Sequence, residues 1–265
     1  MSQSIVALPM YDWPEIRQHT DQFYSLLKES LADSGFQFKN ELARPDDVMS
    51  VWQNPELLLA QTCGLPYSRF LIDDVGLIGV PSYDIDCSAG QYFSVIIVNS
   101  NCKADSLNEL AELDGTRLAI NDIGSQSGYS APLNALQNQS PDLFNNLITV
   151  VSGSHRFSIQ AVAEGTVDFA GIDAVSWQLA LRHESAAKNV RVLTRTPQTP
   201  GLPIISSFTD AKKLYLLHNA MVNAMACLNE EVRDALLLLG FNSINPKEYR
   251  PLAQRFQSLT MVTDD

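Results

Sequence analysis

The chain lacks the sequence features of several large functional classes. Its 265 residues carry a formal net charge of −12, and no cluster of lysine and arginine interrupts that acidity. Nucleic acids and anionic membranes attract basic surfaces, so we expect neither as a partner. No apolar run is long enough to span a bilayer. The first residues, "MSQSIVALPMY", show neither the basic segment nor the separate apolar core of a signal peptide, so none is visible.

Motifs for metals, nucleotides and hydrolysis are missing as well. The sequence has no GxxxxGK[ST], GxGxxG, HExxH or GxSxG pattern. Its four cysteines have no CxxC spacing, so we predict no metal site and no cofactor. Free buried thiols are the favoured interpretation, and one disulfide stays open for an exported protein. The cysteines are Cys63, Cys87, Cys102 and Cys227.

What the chain does contain is an alternation of strand-like and helix-like segments. "SIVALP", "ELLLAQT", "YFSVIIVNS" and "VDFAGID" have the apolar character of buried strands, and helical segments with one apolar face separate them. "EEVRDALLLLG" is predicted to be helical throughout, and a last helix is predicted near 249–259. Such alternation predicts an α/β fold with a parallel or mixed sheet.

The arrangement of these segments predicts two lobes. Residues from about 106 to 196 form a compact strand–helix run, bracketed by the extended segments "YFSVIIVNS" and "GLPIISS". We therefore predict that residues 1–95 and 205–265 form lobe 1. Residues 96–204 would form an inserted lobe 2, joined through two hinge segments. Ligands of open α/β sheets bind beyond the carboxyl ends of the strands, so a cleft between the lobes is the expected site.

A polar turn, "NDIGSQSGYS" at 121–130, follows one predicted strand and begins a helix; we call it the serine turn. The first N–H groups of a helix lack intrahelical partners and carry partial positive charge. Ser125 and Ser127 add hydroxyls, Gln126 adds an amide, and Gly128 allows close approach to the backbone. These features suit a small anion. The competing interpretation, which the pattern alone favours, is that Ser125 or Ser127 simply caps the helix.

A second turn repeats this design in the next strand–helix unit. "SGSHRFS" at 152–158, the histidine turn, places His155 at a helix start, where either ring nitrogen can serve an anion. Taken alone, His155 would more simply be a surface or core histidine. Asp173 in "FAGIDAVSW" follows a strand and suits a ligand ammonium group; its alternative role is to cap the helix that carries Trp177.

The first half of the chain offers a weaker set of candidates. Tyr11 follows the first strand in "LPMYDWPE", and Gln61, Thr62 and Tyr67 follow a later strand in "AQTCGLPY". Both stretches mix aromatic and polar groups beyond a strand end. Tyr67 has an ordinary core position as its alternative.

Together these stretches resemble the periplasmic solute-binding proteins of phosphonate and phosphate ABC transporters. That group lies within a wider family that includes sulfonate-binding and transferrin-like proteins. The resemblance spans nearly the whole chain. The segments that carry it are "LPMYDWPE", "LLLAQTCGLPY", residues 120–133, "SGSHRFSIQAVAEGTVDFAGID" and "PGLPIISS".

The resemblance implies a two-lobed type II periplasmic-binding-protein fold that closes on a small anionic ligand. It implies that the serine turn and His155 hold the oxyanion, while Tyr11 and Tyr67 line the other lobe. It also implies a periplasmic location, an ABC transporter permease as partner, and no catalytic activity; we expect a monomer. The serine-turn residues meant are Ser125, Gln126, Ser127 and Gly128.

Two other classes remain open on the sequence. One is a cytoplasmic enzyme of cofactor or pyrimidine biosynthesis on the same fold, for which a pair formed by Cys63 and His155 would be the nucleophile and base. The other is a ligand sensor that contacts another protein. A cleft lined by neutral donors would favour the binding protein.

Overall fold

The structure is a computed structural model that describes residues 4–39, 41–112 and 115–260. Its strands are β1 Ile5–Ala7, β2 Leu57–Gln61, β3 Gly76–Tyr83, β4 Gln91–Tyr92, β5 Ser94–Asn99, β6 Arg117–Ile120, β7 Ile148–Val151, β8 Phe169–Asp173, β9 Val190–Arg195, β10 Thr199–Pro200, β11 Ile204–Ser206 and β12 Leu238–Asn242.

The α-helices are α1 Arg17–Asp33, α2 Val48–Trp52, α3 Gly64–Pro66, α4 Leu107–Leu110, α5 Ala131–Gln139, α6 Pro141–Asn145, α7 His155–Glu164, α8 Ala174–His183, α9 Ala211–Ala226, α10 Glu230–Ala235 and α11 Arg250–Thr260. Tyr67–Leu71 and Gln126–Ser130 are π-helical, and Ser185–Asn189 and Pro246–Tyr249 are 3-10 turns. Among the described helices, none combines the length and the apolarity needed to cross a bilayer.

The chain divides into two compact units. Unit 1 comprises Met1–Gln91 and Pro200–Arg250, and unit 2 comprises Tyr92–Thr199 and Pro251–Asp265. The predicted lobe boundaries at 95/96 and 204/205 fall inside β5 and β11. β5 hydrogen-bonds within the sheet of unit 2, and β11 hydrogen-bonds within the sheet of unit 1. The chain therefore passes from one unit to the other before each of these strands begins.

The last helix also lies in a different unit from the one predicted. After Arg250, α11 belongs to unit 2, where Leu259 is 2% exposed within the unit's core. The Phe256 ring lies 5.9 Å from that of Tyr129, measured between centroids. Burial of apolar side chains therefore places α11 in unit 2, a placement that its position in the sequence does not reveal.

Unit 1 is built on a mixed five-stranded sheet in the order β1-β2-β11-β3-β12. β1 and β2 are parallel, and the other neighbours are antiparallel. Helices α1 and α9 pack in one core cluster with this sheet. On α1, Phe23, Leu27 and Leu31 are buried at helical spacing, and Leu217 and Met221 on α9 are buried in the same cluster.

The prediction of one continuous helix for "EEVRDALLLLG" was wrong in its second half. Helix α10 ends at Ala235, and Leu237 adopts a φ of 55°, which stops the helix. The following residues form β12, which pairs antiparallel with β3. A short apolar run of this kind suits a buried strand as well as a helix. Here it forms a strand because the edge of β3 supplies backbone hydrogen-bond partners.

Unit 2 is built on a second mixed sheet, in the order β7-β6-β8-β5-β9. β6 is parallel to both β7 and β8, so the three strands end at the same edge. The register places Ile120 opposite Val151, the last residues of β6 and β7. The serine turn and the histidine turn therefore follow neighbouring strand ends at one edge, as the sequence predicts, and Asp173 is the last residue of β8 at that edge.

The placement of α11 can be tested by removing its buried leucine. Leu259→Ala should cost unit 2 ~2–5 kcal/mol because it leaves a cavity in the core. Hydrogen exchange should accelerate at the core amides of Ile96, Val98 and Phe169, which share that core. The exposed Gln254→Ala serves as control. Faster exchange confined to unit 1 would contradict this placement.

Candidate binding site

The serine turn forms the start of a continuous helical segment. Ser125 is its N-cap, and its hydroxyl oxygen accepts the backbone N–H of Gly128 at 3.0 Å. The π-helical turn Gln126–Ser130 then leads directly into α5. Gln126 and Ser127 are 2% and 5% exposed, so their polar atoms lie in a nearly dry environment. The capping interpretation thus holds for Ser125 and leaves Ser127 for another partner.

That partner is His155 of the histidine turn. The Ser127 hydroxyl oxygen lies 2.9 Å from Nε2 of His155, the first residue of α7. Ser154 caps α7 by accepting the N–H of Phe157 at 3.1 Å. One side-chain hydrogen bond therefore joins the two turns that the parallel strands β6 and β7 carry to the same edge. The structure brings Ser125, Gln126, Ser127, Gly128 and His155 together in one cluster.

A third strand fixes the backbone of the serine turn. Ser94, the first residue of β5, donates its hydroxyl to the carbonyl of Ser127 at 2.9 Å. Its own N–H donates to Oγ1 of Thr196 at 2.9 Å. Sequence reasoning missed Ser94; the available signal was a lone serine beside the apolar run "VIIV".

Gly128 is required because a side chain there has no room. A Cβ on Gly128 would fall far inside the contact distance of Asn121 Oδ1, and it would lie 3.2 Å from Cε1 of His155. Asn121 directly follows β6, and its Oδ1 is buried without a hydrogen-bond partner among the described residues. Asn121 is therefore a further member of the cluster, which the sequence analysis did not single out.

His155 is neutral in this environment. Burial lowers the pKa of its imidazole to about 4, against a weaker opposing effect of the Gly171 carbonyl. Nδ1 meets no acceptor at hydrogen-bonding geometry among the described residues, so the Gly171 carbonyl acts on the ring only as a nearby dipole. The residue keeps part of its surface accessible, although protein atoms crowd the ring. The site therefore offers neutral donors.

Two charged side chains of this part of unit 2, Asp173 and Arg156, are engaged by other groups. Asp173 caps α8 by accepting the N–H of Ser176 at 2.9 Å, which is its alternative role from the sequence. Arg156, next to His155, donates from Nε to Glu184 Oε2 at 2.7 Å. An anion at the serine turn would thus be held by hydroxyls and backbone N–H groups, with the helix dipole adding to them.

In unit 1, two of the predicted residues line one small cavity. Tyr11, Asp12, Gln61 and Tyr83 border a cavity of about 40 Å³ whose remaining walls are mostly apolar. Gln61 donates from Nε2 to the Tyr83 hydroxyl at 2.9 Å, and the rings of Tyr11 and Tyr83 meet edge to face with centroids 5.1 Å apart. Tyr83 was missed because it lies at the end of a strand rather than in a polar turn.

Two other predicted residues of unit 1 lie in the protein interior. Tyr67 has no exposed surface and packs edge to face on Tyr249, with 5.0 Å between centroids. Burial raises the pKa of Tyr67 to about 12. Thr62 is likewise fully buried, and its N–H donates to the carbonyl of Pro203. These contacts favour a packing role for both residues.

Solved structures of the same architecture define the fold class. A Prochlorococcus marinus protein in complex with methylphosphonate matches with a TM-score of 0.76 at 18% identity, covering 98% of this chain and 99% of that one. A binding-protein component of an ABC phosphonate transporter from Pseudomonas aeruginosa matches with a TM-score of 0.72 at 18% identity, covering 98% and 89%. The predicted two-lobed periplasmic-binding-protein fold is therefore confirmed.

A family model places the chain more closely. The model described as "ABC transporter, phosphonate, periplasmic substrate-binding protein" matches residues 5–250. The chain belongs to this family of ABC transporter substrate-binding proteins, as its resemblance implied.

Other comparisons do not identify the ligand of this chain. A search of curated proteins finds no match. A Xanthomonas citri protein bound to chloride matches with a TM-score of 0.69 at 16% identity, covering 100% of this chain and 99% of that one. The same protein is also seen bound to ATP. Structural similarity at 16–18% sequence identity shows the fold, and the residues of the site determine which ligand is bound.

Gly128→Ala tests the packing of Gly128 against Asn121 within the serine turn. The added methyl group should destabilise the protein by ~1–3 kcal/mol, as overpacking does, in urea-induced unfolding. Adding Asn121→Ala should restore part of the loss because it removes the clashing oxygen. Gly240→Ala, whose Cβ would meet nothing within 4 Å, is the control. Equal losses in both glycine variants would refute the account.

The neutral state of His155 predicts a dependence of stability on pH. The folded pKa lies below the unfolded value of about 6.5, so protonation favours unfolding. The stabilisation by His155 should be complete above about pH 6.5 and should be lost as the pH falls toward the folded pKa. Wild type should therefore lose more stability on acidification than His155→Gln. Parallel losses, measured by chemical unfolding at each pH, would contradict the assignment.

Proposed function

We propose that this protein is a non-enzymatic substrate-binding component that holds a small phosphonate or phosphate at the serine turn and His155. The observation that carries the proposal is the 2.9 Å hydrogen bond between Ser127 and His155. It joins two helix starts at one sheet edge, and such starts present unpaired N–H groups and partial positive charge. Family membership supports the same chemistry.

The ligand would be recognised by hydrogen bonds rather than by opposite charge. The chain carries a net charge of −12, and Arg156 beside His155 is committed to Glu184. Hydrogen bonds to an ionised oxygen are shorter and stronger than neutral ones, and burial of Ser127 increases their strength further. A tetrahedral oxyanion can accept several such bonds at once.

The Ser127–His155 pair also has the form of a nucleophile and its base, which is the arrangement that an enzyme of this fold would need. A base whose pKa is about 4 accepts a proton poorly at neutral pH. No carboxylate holds His155 Nδ1 among the described residues, whereas the serine hydrolase arrangement needs such a group. Both facts favour binding over catalysis.

The family context extends the proposal. Members of the family are periplasmic and work with ABC transporters. We propose that this chain acts in the periplasm as a monomer, delivers its ligand to a permease, and binds no nucleic acid. Tyr11 and Gln61 of unit 1, which share one cavity wall, stay the predicted contacts from that unit.

Calorimetry with methylphosphonate and with inorganic phosphate tests the site. Ser127→Ala should weaken binding by ~1–3 kcal/mol because it leaves buried polar groups unpaired. Ser127→Asp should abolish binding, since a carboxylate would face the anion. The exposed Ser185→Ala should bind as wild type does. Undiminished oxyanion affinity in Ser127→Asp would overturn the assignment.

A further inference from the structure

Unit 2 contains a second, larger cavity, which touches the serine turn at Gln126 and extends away from it along α5. It measures about 260 Å³ and runs along one face of α5, where its polar lining recurs at helical spacing. A segment before β10 and the helix α11 complete it. We call it the amide groove; its polar lining consists of Gln126, Asn134, Asn138, Gln139, Thr196, Thr199 and Arg255.

Among the residues that the structure describes, the lining of the amide groove has one cationic group and no acidic residue. Arg255 is exposed, and within the described ranges its guanidinium forms no hydrogen bond or ion pair. A guanidinium presents its donors in a planar fork that matches the two oxygens of a carboxylate. One cation without a neighbouring acid therefore suits a ligand with one negative charge.

The amides of the groove are oriented in advance. Asn134 donates from Nδ2 to the Ser130 carbonyl at 2.7 Å and to its hydroxyl oxygen at 3.3 Å. Asn138 donates from Nδ2 to the Asn134 carbonyl at 2.6 Å. Because these bonds use amide N–H groups, they leave the side-chain carbonyl oxygens as acceptors. Acceptors fixed on a helix face suit ligand hydroxyls, which donate.

We propose that the amide groove binds a small hydroxylated carboxylate, such as a sugar acid. Arg255 would hold the carboxylate, and the amides of Asn134, Asn138 and Gln139 would hold hydroxyls, with Thr196 and Thr199 completing the lining. The volume lies slightly below the range typical of drug-sized ligands, which fits a molecule of this size. The proposal does not depend on what the serine turn binds.

Gluconate is the probe for this proposal. Its hydroxylated six-carbon chain ends in one carboxylate. Titration should shift the NMR signals of the Asn134, Asn138 and Gln139 side-chain amides and of the Arg255 Nε–H. Sorbitol lacks the carboxylate and hexanoate lacks the hydroxyls, so each should bind at least about tenfold more weakly, the usual loss for hydrogen bonds involving a charged group.

Two variants and two matched controls locate the binding. Arg255→Gln and Asn138→Leu should each weaken gluconate binding by about tenfold or more. Lys103→Gln removes a charge, and Asn108→Leu exchanges an exposed helical asparagine, both outside the groove lining. Both controls should bind as wild type does. Gluconate binding that persists in Arg255→Gln would overturn the proposal.

Three further results test the location of the groove and the class of its ligand. Ser127→Asp should leave gluconate binding intact, because Ser127, unlike its neighbour Gln126, does not line the groove. No shift of the groove signals by gluconate up to about 10 mM, where even weak specific ligands bind, would refute the site. Binding of sorbitol or hexanoate as tight as that of gluconate would refute the ligand class.

Discussion

The hydrogen bond between Ser127 and His155 is the interaction on which the site depends. It connects two helix starts that belong to separate strand–helix units, so neither turn alone forms the cluster. The bond is possible because β6 and β7 are parallel and end in register, which brings their following turns to one sheet edge. Ser127 is buried and protein atoms crowd the ring of His155, which strengthens the bond and keeps the imidazole neutral.

The surrounding residues maintain this arrangement. Ser94 fixes the backbone carbonyl of Ser127 from a third strand, and Ser125 fixes the N–H of Gly128. The absence of a side chain at Gly128 lets Asn121 and His155 approach the turn. Arg156, next to His155, forms an ion pair with Glu184. A site of neutral donors in an acidic chain thus follows from packing and hydrogen bonding.

The sequence predicted those parts of this arrangement that depend on local chemistry. A serine–glycine turn after an apolar strand and a histidine at a helix start can each be read from a few residues, and the cap formed by Asp173 is the alternative that the sequence offered to its ligand-binding role. The missed features depend on distant pairing. Leu238–Asn242 forms a strand because the edge of β3 is available, and α11 joins unit 2 because Leu259 is buried in its core. Ser94 acts on a turn 33 residues away, which no local pattern shows.

The central claim is that the two turns form one oxyanion site, and an NMR titration with methylphosphonate tests it most directly. The backbone N–H signals of the serine turn and the imidazole nitrogens of His155 report on the two halves separately. The account predicts that both sets shift and that both give the same dissociation constant. Shifts confined to one turn, or two different constants, would contradict it.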